Sequence, residues 1–335
     1  MSSKPKLKDS PIDLIGIGNA IVDVLVQVED SVLESNELKK GSMILIDEKK
    51  AANLLHSIGP GLQTSGGSAA NTLAGFASLG GKAGFIGRVK NDELGHIFTN
   101  DIRSVGTEFN TVPTLKGPST ARCLILVTPD AQRTMCTYLG ASVQLEPEDI
   151  DLEMVAKSKI LYLEGYLWDS PSAKKAFIAS AELSKKSGGQ VALSLSDSFC
   201  VDRHRESFIE LVNNHIDILF ANESEIISLY QSSSFEKALE KVQDKCEIAA
   251  ITRSERGSVI LERGNRWEIP AFKLGPVIDT TGAGDLYAGG FLHGYIQGAN
   301  LFQSGCIGSL CAGQIVTQLG PRSEISLCQL LETNL

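Results

Sequence analysis

The chain has 335 residues, 42% of them hydrophobic, enough for one large domain with an appendage or for two ordinary domains. Lys+Arg 31 against Asp+Glu 40 gives a formal net charge of -9, and no stretch gathers the roughly five or six basic residues that a polyanion-tracking surface collects. Nucleic acid and anionic membrane are therefore excluded as expected partners. The seven cysteines (Cys123, Cys136, Cys200, Cys246, Cys306, Cys311, Cys328) are scattered with no C-x-x-C, and read as buried free thiols of a reducing cytosol. The start, "MSSKPKLKDSP", is polar, and the apolar run Ile12 to Ile17 contains Asp13 and is too short for a signal or a span. A cytoplasmic location is expected.

In chain order, "IDLIGIG" reads as a buried strand. Two strand-like runs follow, "IVDVLVQV" and "SMILID", joined by a short polar helix. "ANTLAGFASLG" has helical spacing and "AGFIGRV" is another buried strand. Ser119 to Gly140, "STARCLILVTPDAQRTMCTYLG", reads as a hairpin turning at Pro129-Asp130. From there strands and helices alternate: "KILYLEG", "PSAKKAFIASAELSKKSG", "QVALSLS", "DRHRESFIELVNNH", "IDILFAN", "SSFEKALEKVQDK" and "EIAAITR". The rhythm predicts an α/β fold, a mostly parallel sheet with helices on both faces. The two pieces that break it predict a small β-sheet lid. The expected division is 1–20, 51–110 and 141–335 for the large domain, with 21–50 and 111–140 for the lid.

Two glycine turns carry the chemistry. In "DTTGAGD", Asp279 to Asp285, Gly282-Ala283-Gly284 can gather backbone N–H groups in one concavity, and a helix starting near Asp285 adds its unsatisfied N–H groups and dipole. That is an anion hole suited to phosphate. Asp285 in the first turn is either a partner of the helix dipole or a general base beside a transferring phosphoryl group, and spacing alone does not choose. In "SGGSAANTLAGFASLG", Gly66-Gly67 lead into a helix near Ala69 whose Asn71 can donate and accept; read alone, it is a common connector with a surface asparagine. No G-x-x-x-x-G-K-[ST] occurs, "GIGNAI" lacks the third glycine of a dinucleotide turn, and His56, His96, His204, His215 and His293 form no close pair.

The runs "GGSAAN…GFASLG…GFIGRVKNDELG" and "DTTGAGDLYAGGFLHG", in that order, resemble the two signatures of the ribokinase-like (PfkB) carbohydrate and nucleoside kinases, and the likeness extends from about Asp13 to Glu324. It implies a ribokinase-like three-layer α/β/α core with a β lid, ATP as phosphoryl donor and Mg²⁺. It makes Asp285 the catalytic base, with Gly282, Ala283 and Gly284 as the anion hole. The family's N-x-x-E appears as Asn222 to Glu225, which by resemblance organise Mg²⁺ and phosphate through water. "ITRSERGSVI" resembles the ATP-contacting strand and turn, making Thr252 and Gly257 nucleotide-site residues. Asp279 and Thr281 fall where relatives offer oxygens to a monovalent cation, usually K⁺; the turn "TQLGPRSE" yields no ligand assignment.

On the acceptor side, Asp23 in "GIGNAIVDVLV" takes by resemblance the place of an aspartate that binds vicinal hydroxyls, with Gly67 and Asn71 completing sugar recognition; an acid on the exposed face of a lid strand is the other reading. "GNAIVDV", "YLEGYLWDS" and "LSLSDSFC" most resemble the adenosine kinases of the family, with Phe199 set against the purine and Tyr166 and Leu167 at another apolar wall. Arg133, in "PDAQRTM", matches an arginine that approaches the transferring phosphate; a solvated hairpin arginine is the other reading. The expected activity is ATP-dependent phosphorylation of the adenosine 5′-hydroxyl. A ribose or fructose kinase is the near alternative, and a non-catalytic nucleoside sensor the distant one. Monomer and homodimer are both open.

Overall fold

Strand β1 (Ile12–Ile17) is buried along almost its whole length because it lies between two parallel neighbours and under helices on both faces. Its side chains alternate between two cores: Leu14 joins one hydrophobic cluster, Ile15 and Ile17 the other. The computed structural model describes residues 7–130 and 132–335; residues 1–6 of the expected large-domain segment, and Ala131 of the lid turn, lie outside it.

The chain continues through β2 (Ile21–Gln27), β3 (Met43–Leu45), β4 (Leu62–Gly66), β5 (Ala83–Ile86), β6 (Thr107–Phe109), β7 (Ala121–Val127) and β8 (Arg133–Tyr138). The later strands are β9 (Ser158–Glu164), β10 (Gln190–Ser194), β11 (Ile218–Asn222), β12 (Ile248–Thr252), β13 (Ser258–Glu262) and β14 (Asn265–Ile269). A nine-stranded sheet has the order β14-β13-β12-β11-β10-β9-β1-β5-β6. It is parallel from β12 to β6 and closes at its other edge with the antiparallel hairpin β13–β14. This is the expected ribokinase-like α/β layering.

A separate five-stranded sheet, β3-β8-β7-β2-β4, gathers the segments expected to form a lid, with β4 added to them. Its period-two alternation decides the site: Val22 and Val24 turn into the main core, whereas Asp23 shares the opposite face with Ile21, Leu25, Cys123 and Ile125. One strand departs from the sequence reading. β4, "LQTSG", pairs antiparallel with β2 inside the lid, although 51–110 was assigned to the large domain. It carries too little apolar patterning to announce itself, and backbone pairing with β2 holds it. All seven cysteines are unpaired; five are buried, Cys246 is half-buried and Cys328 exposed.

The helices after the two glycine turns, Ser68–Ser78 and Ala283–Ile296, pack directly on each other. A Cβ at Gly289 would stand 2.6 Å from the carbonyl oxygen of Thr72, and one at Gly75 would strike the Leu286 side chain. Small residues thus let the two backbones approach until both turns open onto one space. Replacing Gly289 by Val should lower stability by about 1–3 kcal/mol through overpacking, read as a lower denaturation midpoint; an unchanged midpoint would show that the helix pair has slack.

Candidate active site

Both turns use glycine for a backbone shape other residues resist. Gly67 caps Ser68–Ser78 at φ 100°, and Gly282 caps Ala283–Ile296 in the left-handed region at φ 78°. Neither cap has a side chain to satisfy the first N–H groups; Ala69 N donates to Glu164 instead and Ala283 N to Thr280 O, which leaves the N–H groups of Gly284 and Asp285 at the head of the second helix for a ligand. A Cβ at Gly284 would meet nothing within 4 Å, so the turn faces open space.

Asp285 stands in the first turn of its helix and accepts from Ser68 Oγ at 2.6 Å and Asn71 Nδ2 at 3.1 Å, joining the two signatures at one carboxylate. Burial pushes its pKa up to about 6, against the lowering effect of those two hydrogen bonds and of Arg322. The Oδ1 of Asn71 is buried with no partner, an acceptor free for a substrate hydroxyl. Across the space, the Asp23 carboxylate packs on Gly66. Its pKa is pushed up to about 7, chiefly by burial, with Asp285 adding to the rise and Arg322 and Arg133 opposing it.

The floor is the carboxyl end of the parallel strands, where open α/β sheets bind ligands. At the end of β9, Glu164 is 1% exposed and accepts from Asn19 N, Asn19 Nδ2 (2.7 Å) and Ala69 N (2.8 Å). It thereby ties the end of β1 to the first turn of Ser68–Ser78. Burial holds it up at about 7. At the end of β11, Asn222 and Glu225 form a reciprocal capping box: Asn222 Oδ1 accepts from Glu225 N at 2.9 Å, and Glu225 accepts from Asn222 N and Nδ2. Thr252 sits beside Asn222 in register. Gly257 has φ 77°, and a side chain there would strike the backbone of Ile269 and Pro270, so its need for glycine is met by packing alone.

Arg133 reaches from the lid and pairs with Asp279, both side chains under a tenth exposed; its Nε and Nη2 are buried without partners. Asp279 also accepts from Thr281 N, Thr281 Oγ1 and Gly320 N. Both carboxylate oxygens are thus taken and the charge is met by a guanidinium, so Asp279 and Thr281 as arranged do not fit a monovalent cation.

Glu225 fits a hydrated divalent ion better. Its pKa is pushed up to about 7, chiefly by burial and further by Asp197 and Asp285, against the lowering effect of the hydrogen bond from Asn222 N. No three His, Cys, Asp or Glu side chains among the described residues converge closely enough to hold an ion directly.

The hydrophobic wall divides. Phe199 is 74% exposed and Tyr166 37%, but Leu167 is 0% exposed and packs in the second core, correcting its expected place at the acceptor. The tight turn Gly165–Asp169 points adjacent side chains in different directions. Tyr166 N donates to Ser196 Oγ, which brings the Tyr166 turn against the segment leading to Phe199. Sequence reading passed over Ser68, Glu164, Asn19 and Arg322. Only the place of Ser68 directly after the Gly66-Gly67 turn and the acid ending an apolar strand at Glu164 offered a signal.

Residues 43–327 match the pfkB family of carbohydrate kinases, and the chain belongs to that family. A probable sugar kinase from Rhizobium etli CFN 42 is 47% identical with TM-score 0.89, the match covering 97% of this chain and 99% of that one. An adenosine kinase from Sinorhizobium meliloti is 47% identical with TM-score 0.88 over the same shares. Among sequence relatives, a probable fructokinase-5 from Arabidopsis thaliana is 24% identical, covering 82% of this chain and 90% of the relative. The protein is accordingly a phosphotransferase acting on an alcohol group.

The raised carboxylates set a stability trend. Asp23, Glu164, Glu225 and Asp285 titrate higher folded than unfolded, so the folded state holds more protons between the ordinary carboxylate range and about pH 7. Their stabilising contribution is full below that range and is lost as pH rises through about 6 to 7. His293, pushed down by burial, works oppositely but is one group against four. The thermal midpoint should be higher near about pH 5.5 than near about pH 8; calorimetry showing a midpoint that climbs over that interval would contradict the burial of these groups.

Proposed function

We propose that the protein transfers the γ-phosphate of ATP to the 5′-hydroxyl of adenosine. The observation that carries this reading is the convergence on Asp285: a carboxylate held by Ser68 and Asn71, at the mouth of an open anion hole, with Asp23 on the lid face. The purine half rests on Phe199 and Tyr166, two aromatic side chains with exposed surface whose segments meet through Tyr166 N and Ser196 Oγ. Likeness to an adenosine kinase at 47% identity supports it, while the equal likeness to a probable sugar kinase keeps ribose and fructose as rivals for the test.

In this reading Asp23 and Asn71 Oδ1 together accept from the two vicinal ribose hydroxyls, which orients the remaining 5′-hydroxyl at Asp285. Asp285 takes the proton from that hydroxyl as it attacks the γ-phosphorus. The free backbone N–H groups at the Gly282-Ala283-Gly284 turn, those of Gly284 and Asp285, receive charge on the transferring group. Arg133 offers its two free N–H groups to the same phosphate. Mg²⁺ carried with ATP would neutralise phosphate charge, held through water by Asn222 and Glu225. Thr252 and Gly257 border the nucleotide side. The lid excludes water from the reacting groups, which limits ATP hydrolysis.

Coupled ADP release should be far faster with adenosine than with ribose, fructose, inosine or guanosine at matched concentration. Asp285→Asn, which can keep both hydrogen bonds, should fold and bind ATP yet lose about two or more decades of kcat. A free sugar turning over best would replace the acceptor and leave the base. Near-normal turnover of Asp285→Asn would remove the base, and silence with every acceptor would favour a nucleoside sensor.

A further inference from the structure

Arg322 lies in the turn after the last core helix, Leu301–Ile315, in a segment with no strand or helix of its own. Its guanidinium donates to Ser65 O from Nη2 (2.8 Å) and Nε (3.3 Å), to Ser65 Oγ (3.1 Å), and to Ala70 O from Nη1 (2.9 Å). Every partner is uncharged, and Arg322 has no ion pair among the described residues. A planar fork that grips two carbonyls this way fixes a permanent positive charge in place without spending it on one carboxylate.

The two carbonyls are well chosen for reaching the site. The residue after Ser65 is Gly66, on which the Asp23 carboxylate packs; the residue after Ala70 is Asn71, which donates to Asp285. The same turn seats the anion hole: Gly320 N donates to Asp279, and a Cβ at Gly282 would stand 2.7 Å from Pro321. We propose that Arg322 is a positioning residue for the phosphoryl transfer, an internal counter-cation that serves Asp285 and Asp23 together while holding the lid strand β4 to the helix of the first glycine turn. It rests on the reading of Asp285 as base.

The physical need is specific. Two carboxylates facing one space repel, and each is desolvated, so without a cation one of them takes a proton. Burial is the largest influence on both, and Arg322 opposes it at each. The titratable and charged groups that interact electrostatically with this pair are Arg133 from β8, Cys123 on β7, Arg322 from its turn, Tyr162 and Glu164 on β9, Tyr166 in the turn that follows and Glu225 after β11. Asp101, on the helix Glu93–Ser104, faces Arg322 from behind and accepts from Ser65 N at 2.7 Å. Arg133 belongs to the lid and is committed to Asp279, which leaves Arg322 as the cation shared by both carboxylates.

The test is the pH profile of kcat/KM for wild type, Arg322→Gln and Arg322→Lys with the best acceptor, alongside thermal midpoints. Both variants lose part of the carbonyl fork and some stability, but only Gln loses the charge. The acid limb should move up by about one pH unit in Arg322→Gln, a tenfold loss on the acid side, and stay near wild type in Arg322→Lys. An unmoved limb in Gln, or equal shifts in both, would overturn the proposal and leave a structural clamp. Should Arg322→Gln not fold, Asp101→Asn removes the competing charge behind Arg322 and should move the limb to lower pH; no movement there counts equally against it. A wild-type profile with no acid limb would instead defeat the assignment of Asp285 as base, which separates the two failures.

Discussion

The site depends on how closely two helix backbones can lie. Thr72 O and Gly289 meet where no side chain fits, and Gly75 leaves room for Leu286. That contact sets the distance between the two glycine turns, and hence whether Asn71 and Ser68, on one helix, can reach Asp285 on the other. An anion hole on a single helix would bind phosphate; the second helix supplies the groups that hold a carboxylate beside it.

Charge is the second constraint. Asp23, Glu164, Glu225 and Asp285 surround one space, and burial raises the pKa of each. Such a cluster persists only where hydrogen bonds and cations compensate it. Glu164 is satisfied by Asn19 and Ala69 N, Glu225 by its capping box, and Asp285 by Ser68 and Asn71. Two arginines complete the arrangement from opposite sides. Arg133 comes with the lid and meets Asp279, while Arg322 stays with the core. The five-stranded sheet therefore carries both a cation, Arg133 on β8, and a buried carboxylate, Asp23 on β2.

Much of the fold was legible because buried parallel strands are continuous apolar runs, as in "KILYLEG" and "EIAAITR", and the lid hairpin alternates around a Pro-Asp turn. β4 was not, since "LQTSG" owes its strand state to β2. At the site, the glycine turns marked themselves by composition, and the family likeness supplied roles for Asp285, Asn222 and Glu225. What composition cannot carry is direction. Leu167 and Tyr166 are adjacent, yet one is core and the other surface. Arg322 looked like any loop arginine, because its importance lies in two carbonyls more than 250 positions away in sequence. The same holds for Glu164, whose partners come from β1 and from the helix that follows the first glycine turn.

The most direct test is a structure of the protein with adenosine and a non-hydrolysable ATP analogue, measured for the distances around the acceptor. The account predicts the 5′-oxygen within about 3 Å of an Asp285 carboxylate oxygen and in line with the γ-phosphorus, with Asp23 and Asn71 Oδ1 together accepting from the two vicinal ribose hydroxyls. A bound nucleoside whose 5′-oxygen lies beyond hydrogen-bond reach of Asp285, or whose ribose turns away from Asp23, would contradict it.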